Sequence, residues 1–357
     1  MSRSHLVFLG TYTRDGTSRG IYATRLDADS GALSEPELAA ELENPTWLAL
    51  SPDRRFLYAN QANASQAHAF RVDRATGRLE PLAAPAEVDS APGLGSPSHL
   101  AVDATGRVLL AANYHQSFVA ATPIQLDGTL GLAKVIRHEG KGTHPARQEK
   151  PHPHSVTLSP DNRFVLVADL GLDRIFSYAL DPVEGRLAPA NPPFVACSPG
   201  DGPRHFKFSQ DGARAYAINE LGNTISVFDY DSTRGALTFR QKVSTLPDEF
   251  KETNITAEIR LHPNGRYVYG SNRGHDSIAV FSVAPKFGEL NAVEIVKTGG
   301  RTPRNFALSP DGNWLLCGHQ DTPLVTVFRI DPATGRLTRT KHEAAVPACV
   351  CVTFVEE

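Results

Sequence analysis

The chain repeats one pattern of apolar and polar positions, in which an apolar stretch, a polar turn and a second apolar stretch follow one another. The six clearest copies are TWLALSPDRRFLYANQ, HLAVDATGRVLLAANY, SVTLSPDNRFVLVADL, HFKFSQDGARAYAINE, EIRLHPNGRYVYGSNR and NFALSPDGNWLLCGHQ. Their acidic or amide turn residues, from Asp53 to Asp311, recur every 47 to 58 residues. Alternating positions rich in Val, Phe and Tyr predict β-strands, and the polar turn between them predicts a hairpin.

A second alternating stretch follows each copy and ends in a Gly-containing turn, as in AHAFRVDRATGRL and VTVFRIDPATGRL. With a copy at 20–33 and a looser one at 120–130, the chain holds seven repeats of about 51 residues. Four antiparallel strands in a repeat of this length are typical of a propeller blade. The WD40 type is disfavoured, because Gly-His followed by Trp-Asp does not recur and the chain has only Trp47 and Trp314.

The two ends of the chain predict how the ring closes. HLVFLGTYT near the N-terminus matches the second strand of the other repeats, so the first repeat lacks its first strand. VPACVCVTFV at the C-terminus matches a first strand. We therefore predict an all-β, closed seven-bladed β-propeller that forms one domain over residues 1–357. Pairing of Pro347–Val355 with Leu6–Tyr12 closes the ring and removes two exposed strand edges.

Composition narrows the class of protein. The 36 Lys and Arg residues against 39 Asp and Glu residues give a formal net charge of −3, which argues against a nucleic-acid partner. No apolar run approaches the roughly 18 residues needed to span a bilayer. The start, MSRSHLVFLG, lacks the long apolar core of a secretory signal. The four cysteines form no CxxC motif or disulfide framework. We expect a cytoplasmic protein without a nucleic-acid or membrane partner.

Polar residues cluster where the first strand of a blade begins and the second strand ends. These positions share one face of the ring, so side chains from several blades meet at one mouth of the central channel. The titratable ones are His99, His154, His205, Arg204, Arg273, Arg304, Glu220 and Glu258. Such a set suits an anionic substrate and acid–base chemistry. Polar residues that are simply solvated in a wet channel give the same pattern, so this alternative stays open.

Several long stretches resemble the lactonase family of seven-bladed propellers, which includes the propeller-type 6-phosphogluconolactonases of bacteria and the fungal carboxymuconate-lactonizing enzymes. The stretches are GTYT, RQEKPHPHSVTLSPD, LVADLGLDRI, GPRHFKFSQDG, YAINELGNTISVF, AEIRLHPNGRYVYGSNRGHDSIAVF and TPRNFALSPDG. The resemblance covers essentially the whole chain.

The resemblance implies a metal-free active site that uses one His, two Arg and one Glu. By motif, the His falls on His154, or alternatively on His152, and the Glu falls on Glu220 in NEL. The arginines fall on Arg204 in GPRH and Arg273 in SNRGHDS. We assign Glu220 as a general base, with His154 as its helper, and the two arginines to a substrate phosphate or carboxylate. Structural ion pairing between Glu220 and Arg204 is the alternative.

Further polar residues near these strand ends are assigned to substrate binding. They are His152, Arg304, Asn113, His99, Glu258, His275 and Gln320. Arg147 and Gln148 lie in the longest insertion, where they either cap a ligand or have no role. His152 and His154 share a strand face by their i, i+2 spacing, but no third ligand with diagnostic spacing accompanies them. We predict neither a metal nor a cofactor.

The function expected from these observations is hydrolysis of a sugar lactone. The most concrete form is conversion of 6-phosphogluconolactone to 6-phosphogluconate, a step of the pentose phosphate pathway, by a monomer or weak dimer. Two alternatives remain. One is a cycloisomerase that closes or opens a muconate-type lactone with the same residues, and the other is a non-catalytic propeller that binds a partner.

Overall fold

The computed structural model describes residues 3–14, 16–61, 67–83 and 97–355. These residues form 28 β-strands and no helix, so nothing in the described ranges is a helix that could cross a membrane. The strands are β1 (Ser4–Thr11), β2 (Gly20–Asp27), β3 (Glu37–Glu41), β4 (Leu48–Leu50), β5 (Phe56–Ala59), β6 (His68–Val72), β7 (Leu79–Pro81), β8 (His99–Val102), β9 (Val108–Asn113), β10 (Phe118–Pro123), β11 (Lys134–Arg137), β12 (Pro153–Leu158), β13 (Phe164–Asp169), β14 (Arg174–Asp181), β15 (Arg186–Ala196), β16 (Pro203–Phe208), β17 (Arg214–Asn219), β18 (Thr224–Asp231), β19 (Ala236–Ser244), β20 (Ile255–Leu261), β21 (Tyr267–Arg273), β22 (Ser277–Val283), β23 (Leu290–Lys297), β24 (Asn305–Leu308), β25 (Trp314–Gly318), β26 (Val325–Ile330), β27 (Leu337–Ala344) and β28 (Cys349–Val355).

The strands pair into seven antiparallel sheets of four strands each. From the channel outwards the sheets are β28-β1-β2-β3, β4-β5-β6-β7, β8-β9-β10-β11, β12-β13-β14-β15, β16-β17-β18-β19, β20-β21-β22-β23 and β24-β25-β26-β27. We number these blades 1 to 7 in that order. The predicted all-β propeller with seven four-stranded blades is confirmed.

The two ends of the chain close the ring. β28 pairs with β1 in antiparallel register, from Leu6 opposite Val355 to Thr11 opposite Cys349. The last strand of the chain is therefore the inner strand of blade 1, as the sequence predicts. Without this pairing, β1 would expose a bare edge to the channel.

The core lies between neighbouring blades rather than within one sheet. In β13 all six side chains, FVLVAD, are buried, because alternate side chains point to the two faces of the sheet and each face packs on another blade. Val167 packs with Leu110 of blade 3, whereas its neighbour Leu166 packs with Phe206 of blade 5. The continuous apolar runs of the second strands follow from this burial on both faces.

In four blades, the hairpin between the first and second strands is held by a short serine–aspartate contact. In blade 5, Ser209 Oγ donates to Asp211 at 2.5 Å, and Gly212 completes the turn with a φ of +67°. The equivalent serine donates to the equivalent aspartate at Ser51, Ser159 and Ser309. These turns lie at one end of the channel, which leaves the longer connections to form the other end.

Candidate active site

A cavity of about 270 Å³ opens at the channel end opposite the serine–aspartate turns. It is lined where inner strands begin and second strands end, so the predicted convergence of these positions at one mouth is found in the structure. The charged side chains that line it are Arg14, Arg147, Arg204, Arg273, Arg304 and Glu220. Within the described residues, five guanidinium groups therefore face a single carboxylate. Such a concave, cationic site attracts anions.

Two β-bulges direct predicted catalytic side chains into the cavity. In β12 the register against β13 shifts at His154, which becomes the extra residue of the strand. In β16 the register against β17 shifts in the same way at Arg204. A bulge takes one side chain out of the strict alternation of its strand. As a result, both His154 and Arg204 line the cavity.

Glu220 follows β17 directly and is held by three arginines. Its Oε2 accepts hydrogen bonds from Arg204 Nε and Arg273 Nη2, both at 2.8 Å, and its Oε1 accepts one from Arg147. Arg147 comes from the insertion before β12, Arg204 from β16 and Arg273 from the end of β21. We call these four residues the Glu220 clamp. It joins parts of the chain that lie more than 70 residues apart, and Glu220 itself is only 3% exposed.

The clamp is charged at neutral pH. Burial opposes ionisation of Glu220, but Arg273, Arg204, His154 and Arg147 outweigh it and hold the pKa of the carboxyl well below its ordinary value. Burial, together with the charges of Arg273 and Arg304, lowers the pKa of Arg204 to about 9. Arg204 therefore still carries its proton at pH 7. The predicted structural pairing of Glu220 with Arg204 exists, in a larger network than the sequence suggested.

His154 lies beside the clamp with its ring between two other aromatic groups. The ring makes edge contacts with Tyr114 at 5.5 Å and with His205 at 5.3 Å. Its Nε2 is 4.0 Å from Glu220 Oε2, and its Nδ1 is buried without a hydrogen-bond partner among the described residues. Burial first, and then the charge of Arg204, hold the pKa of His154 well below its ordinary value. The imidazole is therefore neutral at pH 7 and able to accept a proton.

A second layer of side chains forms the floor of the cavity. Arg204 Nη1 lies 3.1 Å from His205 Nε2, and a guanidinium can only donate, so this nitrogen accepts. The proton of His205 is therefore on Nδ1, which donates to Glu258 Oε1 at 3.1 Å. Glu258 also accepts a hydrogen bond from Asn305 at 2.6 Å. This layer fixes the orientation of Arg204 from below.

The structure brings together the four residues predicted to be catalytic, but it separates most of those predicted to bind substrate. Of the seven, Arg304 lines the cavity. Glu258 and His99 belong to the floor, where the ring of His99 packs on Trp47 at 4.0 Å. Their side chains are buried below the layer that contains His154 and Arg204.

The other four lie away from the cavity lining. His152 stacks behind Tyr114 at 4.1 Å and bonds to its backbone oxygen. Asn113 accepts the backbone N–H of Gln116 at 2.7 Å and so holds a turn. His275 contacts Phe250 and Ser277, and Gln320 donates to Asp321. Each satisfies a local structural need instead of facing the mouth.

Residues 6–354 match the model of the family described as "Lactonase, 7-bladed beta-propeller". The chain belongs to this lactonase family. It is 38% identical to a 6-phosphogluconolactonase of Bacillus subtilis over 356 residues, which cover 99% of each chain. It is 32% identical to a 6-phosphogluconolactonase of Serratia proteamaculans over 330 residues, or 92% of this chain and 93% of the other. The structure of a periplasmic gluconolactonase of Pseudomonas aeruginosa superposes with a TM-score of 0.91 at 32% identity, covering 99% of both chains.

Membership of this family confirms the predicted enzyme class, a lactonase. The i, i+2 spacing of His152 and His154 does not produce a shared strand face in this lactonase, because the bulge at His154 interrupts the alternation. His152 instead bonds to Glu149 and to the backbone of Tyr114. In the described part of the chain, no three His, Cys, Asp or Glu side chains are grouped to hold a metal ion.

Among the lining residues of the lactonase that the sequence did not assign to the site are Tyr12, Tyr114 and Arg14. Tyr12 and Tyr114 stand at second-strand ends, the same positions as Glu220 and Arg273, so their place in the repeat could have identified them. Arg14 lies two residues after Tyr12, in the connection between β1 and β2. Arg147, which the sequence left open as a cap or an idle residue, is a member of the Glu220 clamp.

Proposed function

We propose that the cavity hydrolyses a phosphorylated sugar lactone, most concretely 6-phosphogluconolactone to 6-phosphogluconate. The observation that carries this proposal is the excess of five guanidinium groups over one carboxylate around a neutral imidazole. The excess suits a substrate with a dianionic phosphate, and a neutral imidazole is the usual general base near pH 7. The names of the relatives from Bacillus subtilis and Serratia proteamaculans support the same substrate.

The chemistry requires a water made nucleophilic and an oxyanion stabilised as it forms. His154 takes a proton from water as the water oxygen bonds to the lactone carbonyl carbon. Arg204 and Arg273 stabilise the oxyanion, and the Nε of Arg273 is a buried donor without an acceptor among the described residues. The bond between the carbonyl carbon and the ring oxygen then breaks, and the ring oxygen takes the proton back from His154. No cofactor is needed for this balance.

Glu220 is assigned a positioning role, which revises the base assignment made from the sequence. Both of its carboxylate oxygens already accept hydrogen bonds from arginines. Neither oxygen is therefore free to take a proton from water, whereas Nδ1 of His154 has no hydrogen-bond partner among the described residues. The negative charge of Glu220 instead orients Arg204 and Arg273 and, from 4.0 Å, favours the imidazolium that forms on His154.

A substrate panel tests the proposed function. The purified protein is assayed against 6-phosphogluconolactone, gluconolactone and carboxymuconate, with the spontaneous rate subtracted. We expect the largest kcat/KM for 6-phosphogluconolactone, and no effect of EDTA because no step uses a metal. Turnover of carboxymuconate alone would instead indicate the cycloisomerase, since arginine binds carboxylates as well as phosphates. If the protein turned over none of the three compounds, the remaining candidate would be a non-catalytic propeller that binds a partner.

Two further expectations remain predictions. The pentose phosphate pathway follows from the proposed substrate alone. The cytoplasmic location is a prediction from the composition and the N-terminal sequence, and one structural neighbour is named as a periplasmic enzyme.

A further inference from the structure

The five arginines of the cavity fall into two groups. Arg147, Arg204 and Arg273 donate hydrogen bonds to Glu220 and form the clamp. Arg304 makes no hydrogen bond or ion pair with any described residue, although it lines the same cavity. Its contact is with the ring of Tyr12, whose centroid lies 5.8 Å from the guanidinium carbon. Arg14 likewise has no carboxylate partner among the described residues, so Arg304 and Arg14 are the two lining arginines whose charge is not offset there.

The position of Arg304 follows from the repeat, and its guanidinium shares the Tyr12 ring with Arg14. Arg304 precedes β24 in blade 7, at the repeat position that Arg204 occupies in blade 5. Arg14 contacts the same Tyr12 ring at 4.4 Å, so the ring carries two guanidinium groups. The charge of Arg304 also contributes to the lowered pKa of Arg204 and of His154. Arg304 thus lies within electrostatic reach of the proposed reacting groups.

A partly buried cation that faces other cations is repelled by them unless an anion is present. The clamp cannot supply that anion, because the oxygens of Glu220 are already shared among three arginines. A ligand phosphate would offer two negative charges and several acceptor oxygens to a planar guanidinium fork. Because the guanidinium of Arg304 has no carboxylate partner among the described residues, it is free to bind the anion of a substrate.

We propose that Arg304, assisted by Arg14 across the Tyr12 ring, binds the phosphate of the substrate, which rests on the proposed function. This proposal moves the binding of the substrate phosphate from Arg204 and Arg273, to which the sequence assigned it, to Arg304. Those two arginines, tied to Glu220, act at the reacting carbonyl. Arg304 lies in blade 7, two blades from Arg204 and one from Arg273, and recognises the charged end of the molecule.

The test compares Arg304→Ala and Arg304→Lys with the control Arg301→Ala. Arg301 is an exposed arginine of the same connection that bonds to the backbone of Asp321 and does not line the cavity. For Arg304→Ala we expect KM for 6-phosphogluconolactone to rise roughly 10- to 100-fold, as for loss of a hydrogen bond to a charged group. The rise in KM for gluconolactone, which lacks the phosphate, should be at least about ten-fold smaller. Arg304→Lys should fall between, since it keeps the charge and loses the fork.

Equal losses on both substrates would overturn the proposal and place Arg304 at the lactone ring. An unchanged KM for the phosphorylated substrate would also overturn it. Binding of 6-phosphogluconate and of gluconate, measured by calorimetry, distinguishes failure of the proposed phosphate site from failure of the proposed reaction. If wild type hydrolyses neither lactone but binds 6-phosphogluconate in a manner that Arg304→Ala abolishes, the phosphate site stands and the reaction is wrong. If wild type binds neither compound, both proposals fail.

Discussion

Replacement of Glu220 by Gln is expected to lower kcat for lactone hydrolysis by roughly 10²- to 10³-fold and to destabilise the protein at the same time. Gln keeps the size of the side chain but removes the charge that Arg204 and Arg273 share. The two guanidiniums then repel each other and lose their alignment towards the carbonyl. Removing one partner of a buried ion pair typically costs about 3 to 5 kcal/mol of stability. The measurements are steady-state kinetics and thermal unfolding of the same preparation.

The pH dependence of stability gives this prediction a second readout. Folding lowers the pKa of Glu220, so its ion pairs stabilise the protein above the ordinary Glu pKa of about 4.3 and are lost as the pH falls below it. The Glu220→Gln variant has no titrating group at this position, and its other carboxyl groups are the same as those of wild type. The stability difference between wild type and Glu220→Gln should therefore shrink as the pH is lowered through this range.

Glu149→Gln is the matched control for Glu220→Gln. Glu149 is exposed, it bonds to His152 and it does not line the cavity. We expect its kcat and its unfolding temperature to stay near those of wild type. If Glu220→Gln also kept a kcat and an unfolding temperature near those of wild type, the Glu220 clamp would have no role in the mechanism.

Deletion of residues 348–357 is expected to abolish cooperative folding. The deletion removes β28 and leaves β1 without its inner neighbour. Val350, Val352, Phe354 and Val355 are all buried in the closed ring. Burial of four such side chains stabilises by about 6 to 12 kcal/mol at 1.5 to 3 kcal/mol each, which is comparable to the 5 to 15 kcal/mol of a typical folded protein.

The deletion is measured by far-ultraviolet circular dichroism and thermal unfolding. Removal of Glu356 and Glu357 alone, beyond the end of β28, is the control and should change the unfolding temperature little. A protein without residues 348–357 that still unfolds cooperatively at the wild-type temperature would contradict the role of β28 in stabilising the ring.

The fold was predictable because the blades repeat the same local sequence pattern. Alternating apolar residues and the Ser-Asp turns specify hairpins whose partners are near in sequence, as at Ser209 and Asp211. Closure was predictable because VPACVCVTFV could be recognised as a first strand without a blade of its own. These inferences depend on period and on turn chemistry, which can both be read along the chain.

The site was predictable only in part, because strand position does not specify where a side chain points. Asn113 and Glu220 stand one residue apart in the aligned repeats, yet Asn113 holds a turn and Glu220 lies in the cavity. The bulges that direct His154 and Arg204 inwards are irregularities of register, which an idealised alternation cannot show. The hydrogen bond from Arg147 to Glu220 joins residues 73 positions apart in the sequence, so no local pattern predicts it.

The distinction between paired and unpaired arginines also required the structure. Arg204 and Arg304 occupy equivalent positions in their repeats and look alike in sequence. Arg204 lies beside the carboxylate of Glu220, which directly follows the second strand of its own blade. The corresponding strand of blade 7 ends at Gly318 and is followed by His319 and Gln320, neither of which is a carboxylate. The presence or absence of a carboxylate partner therefore decides which task each of the two arginines can perform.

We propose above that His154 is the base of a lactonase that acts on a phosphorylated sugar lactone. The most direct test is kcat for 6-phosphogluconolactone at pH 7, measured for wild type and for His154→Ala with the spontaneous rate subtracted. We expect rapid turnover by wild type and a roughly 10²- to 10⁴-fold lower kcat for a His154→Ala variant that remains folded. A folded His154→Ala protein with near wild-type kcat would contradict it.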